Sequence, residues 1–256
     1  MKNKMRTPNP EPHLSTVILR TLVGSTVHGL GVAQQDDRDE MGICVEPLQH
    51  LLGLRERFEQ YEFRTQPKGH RSGPGDLDLV IYGLAKWARL ALQGNPTILL
   101  PLYAPDSAIL HIDERGRALR RMADQFISDD TLDRFIGYMR EQRYRMRDRV
   151  RQPRRPELIE QFGYDTKYAG HVIRLGNQGI EIGLTGRLTL PMSDPVRQRI
   201  LDIRTGRVSE ADVLAEAEDL ETKLLLIRET SPFGPPRTQP IEQFVTQLYV
   251  EQCRLP

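Results

Sequence analysis

Two aspartates one residue apart, Asp37 and Asp39, follow a Gly-Ser turn at Gly24-Ser25 by about a dozen residues. On an extended strand, side chains at i and i+2 point to the same side. Two carboxylates placed this way suit Mg²⁺ (or Mn²⁺), a hard cation held by a few carboxylates together with substrate phosphates. Just upstream, the apolar run from Val17 to Val23 reads as a buried strand that stops abruptly at the Gly-Ser turn, with Gly29 four residues after Ser25. Strand, glycine turn and short helix let backbone N–H groups approach a phosphate closely. A phosphate cradle at Gly24 and Ser25 beside a divalent-metal pair suggests phosphoryl or nucleotidyl transfer. Two neighbours have plainer readings. His28 is expected to face water in the turn, and Glu40 to be a solvated strand residue.

The elements that must hold these residues follow from the apolar pattern. Strands are predicted near 16–23, 40–46, 57–65 and 76–81. A helix near 82–93 carries Leu84, Trp87, Ala88, Ala91 and Leu92 at helical spacing. Asn95-Pro96 reads as the turn that ends it. The stretch from Gly69 to Gly75 reads as a mobile loop before the 76–81 strand. From about residue 112 the pattern becomes helical. Ser128 or Asp130 caps a helix to about Val150, and Pro153 and Pro156 break it. A further helix spans about 157–176. Glu181 to Pro191 reads as a short strand pair or extended lobe. Ser209-Glu210-Ala211-Asp212 opens a helix to about Glu229, and a last helix covers about 241–252.

One segment stands apart in composition. Eight arginines fall between Arg140 and Arg155. On a helix, Arg140, Arg143, Arg147 and Arg151 share a face at i, i+3 and i+4 spacing. Two readings fit: a solvated, salt-bridged helix face, or a positive wall gripping triphosphate or RNA backbone through Arg143 and Arg147.

The order Gly-Ser, then Asp-x-Asp, resembles the signature of the DNA polymerase beta-like nucleotidyltransferase superfamily. Tyr82-Gly83-Leu84-Ala85-Lys86-Trp87, Leu92-Gln93-Gly94-Asn95-Pro96-Thr97 and Lys167-Tyr168-Ala169-Gly170-His171-Val172-Ile173-Arg174-Leu175 narrow it. They resemble a branch of predicted bacterial and phage nucleotidyltransferases, some associated with RNA repair, over roughly residues 15–195. Asp36 departs from the serine that usually precedes the first metal aspartate.

The resemblance implies a third carboxylate on a later strand. Asp78, between Leu77 and Leu79, is the choice, with Asp76 on the same strand face in reserve. It implies two-metal catalysis by Asp37, Asp39 and Asp78, Gly24 and Ser25 on the β- and γ-phosphates of an NTP, and basic residues of a second domain that close over the triphosphate. Lys167 and Arg174 are those residues here, while His171 packs. The expected fold is α+β. An α/β catalytic palm with a mixed sheet spans residues 15–110, after a flexible tail over 1–14, and a mainly helical domain spans 111–256. The implied reaction transfers a nucleoside monophosphate from an NTP to an acceptor hydroxyl, with an RNA 3′ end favoured as acceptor by the family association and the arginine helix. A protein or small-molecule acceptor is the runner-up. A non-catalytic nucleotide or RNA sensor is disfavoured by the complete carboxylate set.

Composition is compatible with this. The 256 residues carry a formal net charge of +1 and 28% charged residues, with room for two modest domains. No run of 18 or more apolar residues provides a membrane span. The basic, proline-rich N-terminus lacks the apolar stretch of a secretory signal. Two cysteines, Cys44 and Cys253, make neither a metal motif nor a disulfide framework, and a reducing cytoplasm is the simplest setting.

Overall fold

The computed structural model describes residues 16–31, 37–67, 70–147 and 155–254. Among these the chain divides into two compact units. One holds the residues up to Leu90, Leu100–Met122 and those from Thr238 on; the other holds Ala91–Leu99 and Ala123–Arg237. The last helix falls in the first of these units. The expected tail over 1–14 lies outside the described residues.

The first unit is built on a five-stranded mixed sheet. Its elements in chain order are β1 (Val17–Leu22), α1 (Gly24–Val27), β2 (Arg38–Cys44), α2 (Leu48–Leu51), β3 (Gln60–Arg64), β4 (Leu77–Gly83), α3 (Leu84–Leu92), α4 (Leu100–Tyr103), β5 (Ile109–Ile112) and α5 (Glu114–Arg121). The strand order is β3-β4-β2-β1-β5. β2 and β4 run parallel, and every other neighbouring pair is antiparallel.

The central strand, β2, carries the longest buried run, as expected for a strand covered on both faces. From Glu40 to Cys44 no residue of β2 is exposed. Val17, Cys44, Phe58, Leu79 and Ile81 form a core cluster with Tyr61 and Leu77 against it. β5 lies beyond the four strands expected from the sequence. It pairs with β1, and Asp113 then caps α5, its carboxylate accepting from Gly116 N at 2.9 Å. Gly116 lets α5 sit close to β1: a Cβ there would lie 2.1 Å from Ile18 O.

The second unit is helical: α6 (Asp129–Arg147), α7 (Pro156–Phe162), α8 (Thr166–Thr185), α9 (Asp194–Arg204) and α10 (Glu210–Glu229). The helix expected over 157–176 is two helices. Gly163, at φ 84°, ends α7, and Asp165 caps α8 by accepting from Lys167 N and Tyr168 N at 3.0 Å. The strand pair expected from Glu181 is also corrected. α8 runs on to Thr185 and stops at Gly186, whose φ of 69° suits the left-handed cap. α8 is the central helix, and three glycines make that so. A Cβ at Gly176 would lie 2.9 Å from Leu220 of α10 and one at Gly179 2.7 Å from Leu224. A Cβ at Gly183 would fall on Ile227. α6 packs on the same helix through Met139, Phe135 and Leu132.

The chain ends with α11 (Thr238–Arg254), which is fixed to the first unit by Tyr249. The Tyr249 hydroxyl donates to Glu46 Oε2 at 2.6 Å, and Ala85 N donates to the Tyr249 oxygen at 3.2 Å. Among the described residues no helix is long and apolar enough to cross a membrane.

Candidate active site

The turn after β1 is built around the absence of a side chain. Val23 N donates to Asp39 O at 2.9 Å, which ties the end of β1 to the start of β2. Gly24 follows at φ 64°, a conformation that costs a residue with a Cβ about 1–2 kcal/mol. A Cβ on Gly24 would lie 2.1 Å from Asp39 Oδ2. The turn thus lets backbone and carboxylate lie side by side. Ser25 follows in the single turn of α1, and Leu30 N donates to Ser25 O at 3.0 Å just beyond it.

The sheet register does the rest. Asp39 and Asp78 are directly opposite across parallel β2 and β4. Asp37 precedes β2 and shares the side of Asp39 by the two-residue alternation. One carboxylate oxygen from each of Asp37, Asp39 and Asp78 lies within 4.8 Å of the other two. All three residues are partly exposed, so ligand can reach them. Three hard, anionic oxygen donors so close together, beside a turn that a Cβ would block, fit one or two Mg²⁺ or Mn²⁺ ions.

Asp78, the sequence choice, and Asp76, its reserve, have different surroundings. Asp76 closes the loop before β4. Its carboxylate accepts from Gly73 N at 2.8 Å, Thr65 Oγ1 at 2.9 Å and Gln66 Nε2 at 3.1 Å. The Gly73 N–H foremost, then Thr65 and Gln66, hold its carboxyl below the ordinary carboxylate range. Asp78 faces the other two aspartates and accepts from Ser72 Oγ at 2.9 Å and Arg64 Nε at 2.9 Å.

Arg64 is a site residue that sequence reasoning missed. It stands opposite Asp78 across β3 and β4, and its guanidinium also donates to Ser72 Oγ at 2.9 Å. The hydrogen bond to Asp78 foremost, with the charges of Asp78, Asp37 and Asp39, raises its pKa. The pairing comes from strand register, and nothing in the local sequence around Arg64 announces it.

Two expectations in this region are corrected. Glu40 is 3% exposed, not solvated. Its carboxylate accepts from Arg20 Nε and Arg38 Nε, both at 2.5 Å, so a buried charge is kept by two partners. His28 is 4% exposed and does not face water. Asp36 lies outside the described residues.

The remaining candidates belong to the second unit. Lys167 and Arg174 are on α8, with His171 between them. Arg174 donates to Gln178 Oε1 at 3.0 Å, and burial pulls its guanidinium down to about 10. Arg140 and Arg143 of α6 both bind Glu221 of α10, at 2.6 and 2.8 Å, so that part of the arginine face is salt-bridged. Arg147 is exposed at the last position of α6. Arg149, Arg151 and Arg154 lie outside the described residues.

Among solved structures, this chain is similar to a nucleotidyltransferase-like protein from Exiguobacterium sibiricum 255-15. It is 10% identical over 85% of this chain and 70% of that chain, with a TM-score of 0.30. No curated protein matches. A family model spans residues 2–226, from before the first strand to within α10, and so takes in the aspartates, the glycine turn and α8 together. By that match the chain belongs to the RNA repair pathway DNA polymerase beta family.

Proposed function

We propose that this protein is a metal-dependent nucleotidyltransferase that moves a nucleoside monophosphate from an NTP to the terminal hydroxyl of an RNA. The observation that carries the reading is the convergence of Asp37, Asp39 and Asp78 at one end of parallel β2 and β4, beside the Gly24 turn. The acceptor hydroxyl loses its proton to solvent as its oxygen attacks the α-phosphorus, the bond from that phosphorus to the α,β-bridging oxygen breaks, and pyrophosphate leaves.

Asp37 and Asp39 would hold both divalent ions, and Asp78 the one on the acceptor side. Bound there, Mg²⁺ or Mn²⁺ would lower the pKa of the acceptor hydroxyl and offset charge on the departing pyrophosphate. The protein's own groups supply position. Arg64 and Ser72 fix the Asp78 carboxylate. Gly24 and Ser25 present backbone N–H groups to the β- and γ-phosphates. Lys167 and Arg174 supply positive charge for the triphosphate, and Arg143 and Arg147 for phosphate backbone. The RNA acceptor is supported by the family to which the chain belongs.

The test is to incubate the purified protein with each labelled NTP, Mg²⁺ and total RNA, then to separate RNA, protein and small molecules. Label at RNA 3′ ends, released by digestion as a terminal nucleotide, is the expected result. Label on protein, or none with any NTP, would overturn the RNA reading.

A further inference from the structure

Four cationic side chains from three stretches of the second unit act electrostatically on one histidine, His171. Lys167 and Arg174 come from α8, Arg155 from the segment entering α7, and Arg204 from the last position of α9. Gly170 admits the Arg204 stem against α8: a Cβ at Gly170 would lie 3.3 Å from Arg204 Cγ. The Arg155 guanidinium lies over the Tyr168 ring, 5.1 Å from its centroid, and pairs with Asp165 at 3.3 Å. The Tyr168 ring meets His171 edge-on at 6.4 Å between centroids. From α6, Gln142 Oε1 is 3.4 Å from His171 Nδ1, and Arg145 hydrogen-bonds Tyr168.

We propose, on the reading of this chain as an NTP-using transferase, that Arg155 and Arg204 join Lys167 and Arg174 in a grip for a triphosphate, and that His171 at its centre takes up a proton as the triphosphate binds. Like charges gathered around one imidazole repel one another and oppose its protonation. Burial foremost, then the charges of Arg174, Lys167, Arg155 and Arg204, hold His171 well below its ordinary pKa. Asp165 pairs with Arg155, and it is also committed to capping α8. A triphosphate carries several negative charges. Seated here it would cancel the field that keeps the imidazole neutral, and the protonated ring offers two donors where the neutral ring offers one. Binding and protonation then reinforce each other, so affinity rises as pH falls through the range in which bound His171 titrates.

The experiment is titration calorimetry of the full chain with inorganic tripolyphosphate, without divalent metal, at a pH of about 6.5 where free imidazole titrates. Two buffers of different ionisation enthalpy give the number of protons taken up. The paired variant Arg155→Gln with Arg204→Gln should bind at least about tenfold more weakly, since each loses charge-assisted hydrogen bonds to phosphate. His171→Gln should lose the wild-type excess of proton uptake. Arg155→Lys with Arg204→Lys keeps the charges and should retain most of the affinity, which separates loss of grip from loss of fold.

Unchanged affinity in the glutamine pair, or an unchanged proton count in His171→Gln, would overturn the proposal. A single-stranded oligoribonucleotide without terminal phosphates is the second probe. Weakened RNA binding with tripolyphosphate binding intact would also overturn it. If the protein transfers no nucleotide yet the glutamine pair loses tripolyphosphate affinity, the transferase reading fails and the grip stands. If transfer proceeds in that pair with unchanged KM for NTP, the grip fails and the transferase reading stands.

Discussion

Asp39 is the residue on which most of the site depends: its backbone oxygen ties down the β1 turn, its side chain fits only beside a glycine, and its strand partner is Asp78. Asp39→Asn keeps the shape and removes the charge that would balance a metal pair. At about 4 kcal/mol of lost charge stabilisation, transfer should fall about a thousandfold with the melting temperature nearly unchanged. A folded Asp39→Asn protein with near-normal turnover would remove the assignment. Asp78→Ala should lower kcat about a hundredfold or more while leaving KM for NTP close to wild type. Asp76→Ala, which loosens only the loop around Gly73, should cost within about tenfold, a span set by about 1.4 kcal/mol. A reversed ranking in steady-state kinetics would mean that Asp76, not Asp78, serves the acceptor. Sequence could place Asp37 and Asp39 on one side because alternation along a strand is local. It could not bury Glu40, because the arginine that keeps it buried comes from β1 as well as from its own strand. Arg64 was hidden for the same reason.

At the scale of elements, α8 carries both the basic residues and the glycine track that seats it between α6 and α10. Gly179→Ala places a methyl against Leu224 and Phe135. Overpacking of this kind should cost about 1–3 kcal/mol, read as a lower urea midpoint without a change in slope. A variant as stable as wild type would show that the helices part readily. The arginine face of α6 has two fates. Glu221 already holds Arg140 and Arg143, whereas Arg147 lies at the exposed end. Changing Arg143 and Arg147 together to Ala should reduce the slope of log RNA affinity against log salt by about 0.7 for each phosphate no longer neutralised. An unchanged slope in a folded double variant would leave these arginines as a salt-bridged surface. Helical spacing made the shared face legible. The Glu221 partner lies 78 residues from Arg143 and has no mark in the local pattern. The end of α8 is hard to read from sequence because Gly183 and Gly186 both look like loop residues, yet only Gly186 takes the left-handed cap.

At the scale of the whole chain, the first unit is sewn together from segments far apart in sequence. Glu46 and Tyr249, 203 positions apart, share a short hydrogen bond. Burial foremost raises the Glu46 pKa above 4.5. A carboxyl whose folded pKa is raised contributes stability that is present below its unfolded value and lost as pH rises through the folded value. Glu46→Gln keeps an acceptor for the tyrosine hydroxyl and removes the titration. Its melting temperature should therefore gain on wild type as pH rises from about 4 to 8, the side on which the unfolded carboxylate ionises. A constant offset across that range would show that Glu46 titrates normally. This pairing was out of reach of sequence analysis, which placed the last helix with its chain neighbours.

The order of synthesis gives that pairing a further meaning. A ribosome finishes the strands bearing the three aspartates early and then makes the entire helical unit. It supplies Tyr249 only afterwards, beyond the span shared with the family. Pairings so distant along the chain form late, because a long loop must close first. A nascent chain halted within α10 carries every aspartate of the site but leaves Glu46 without its hydroxyl partner. A chain cut within α10 should thus be more open to proteolysis around Glu46 than one that carries α11, because the Glu46–Tyr249 hydrogen bond ties the strand end to that helix.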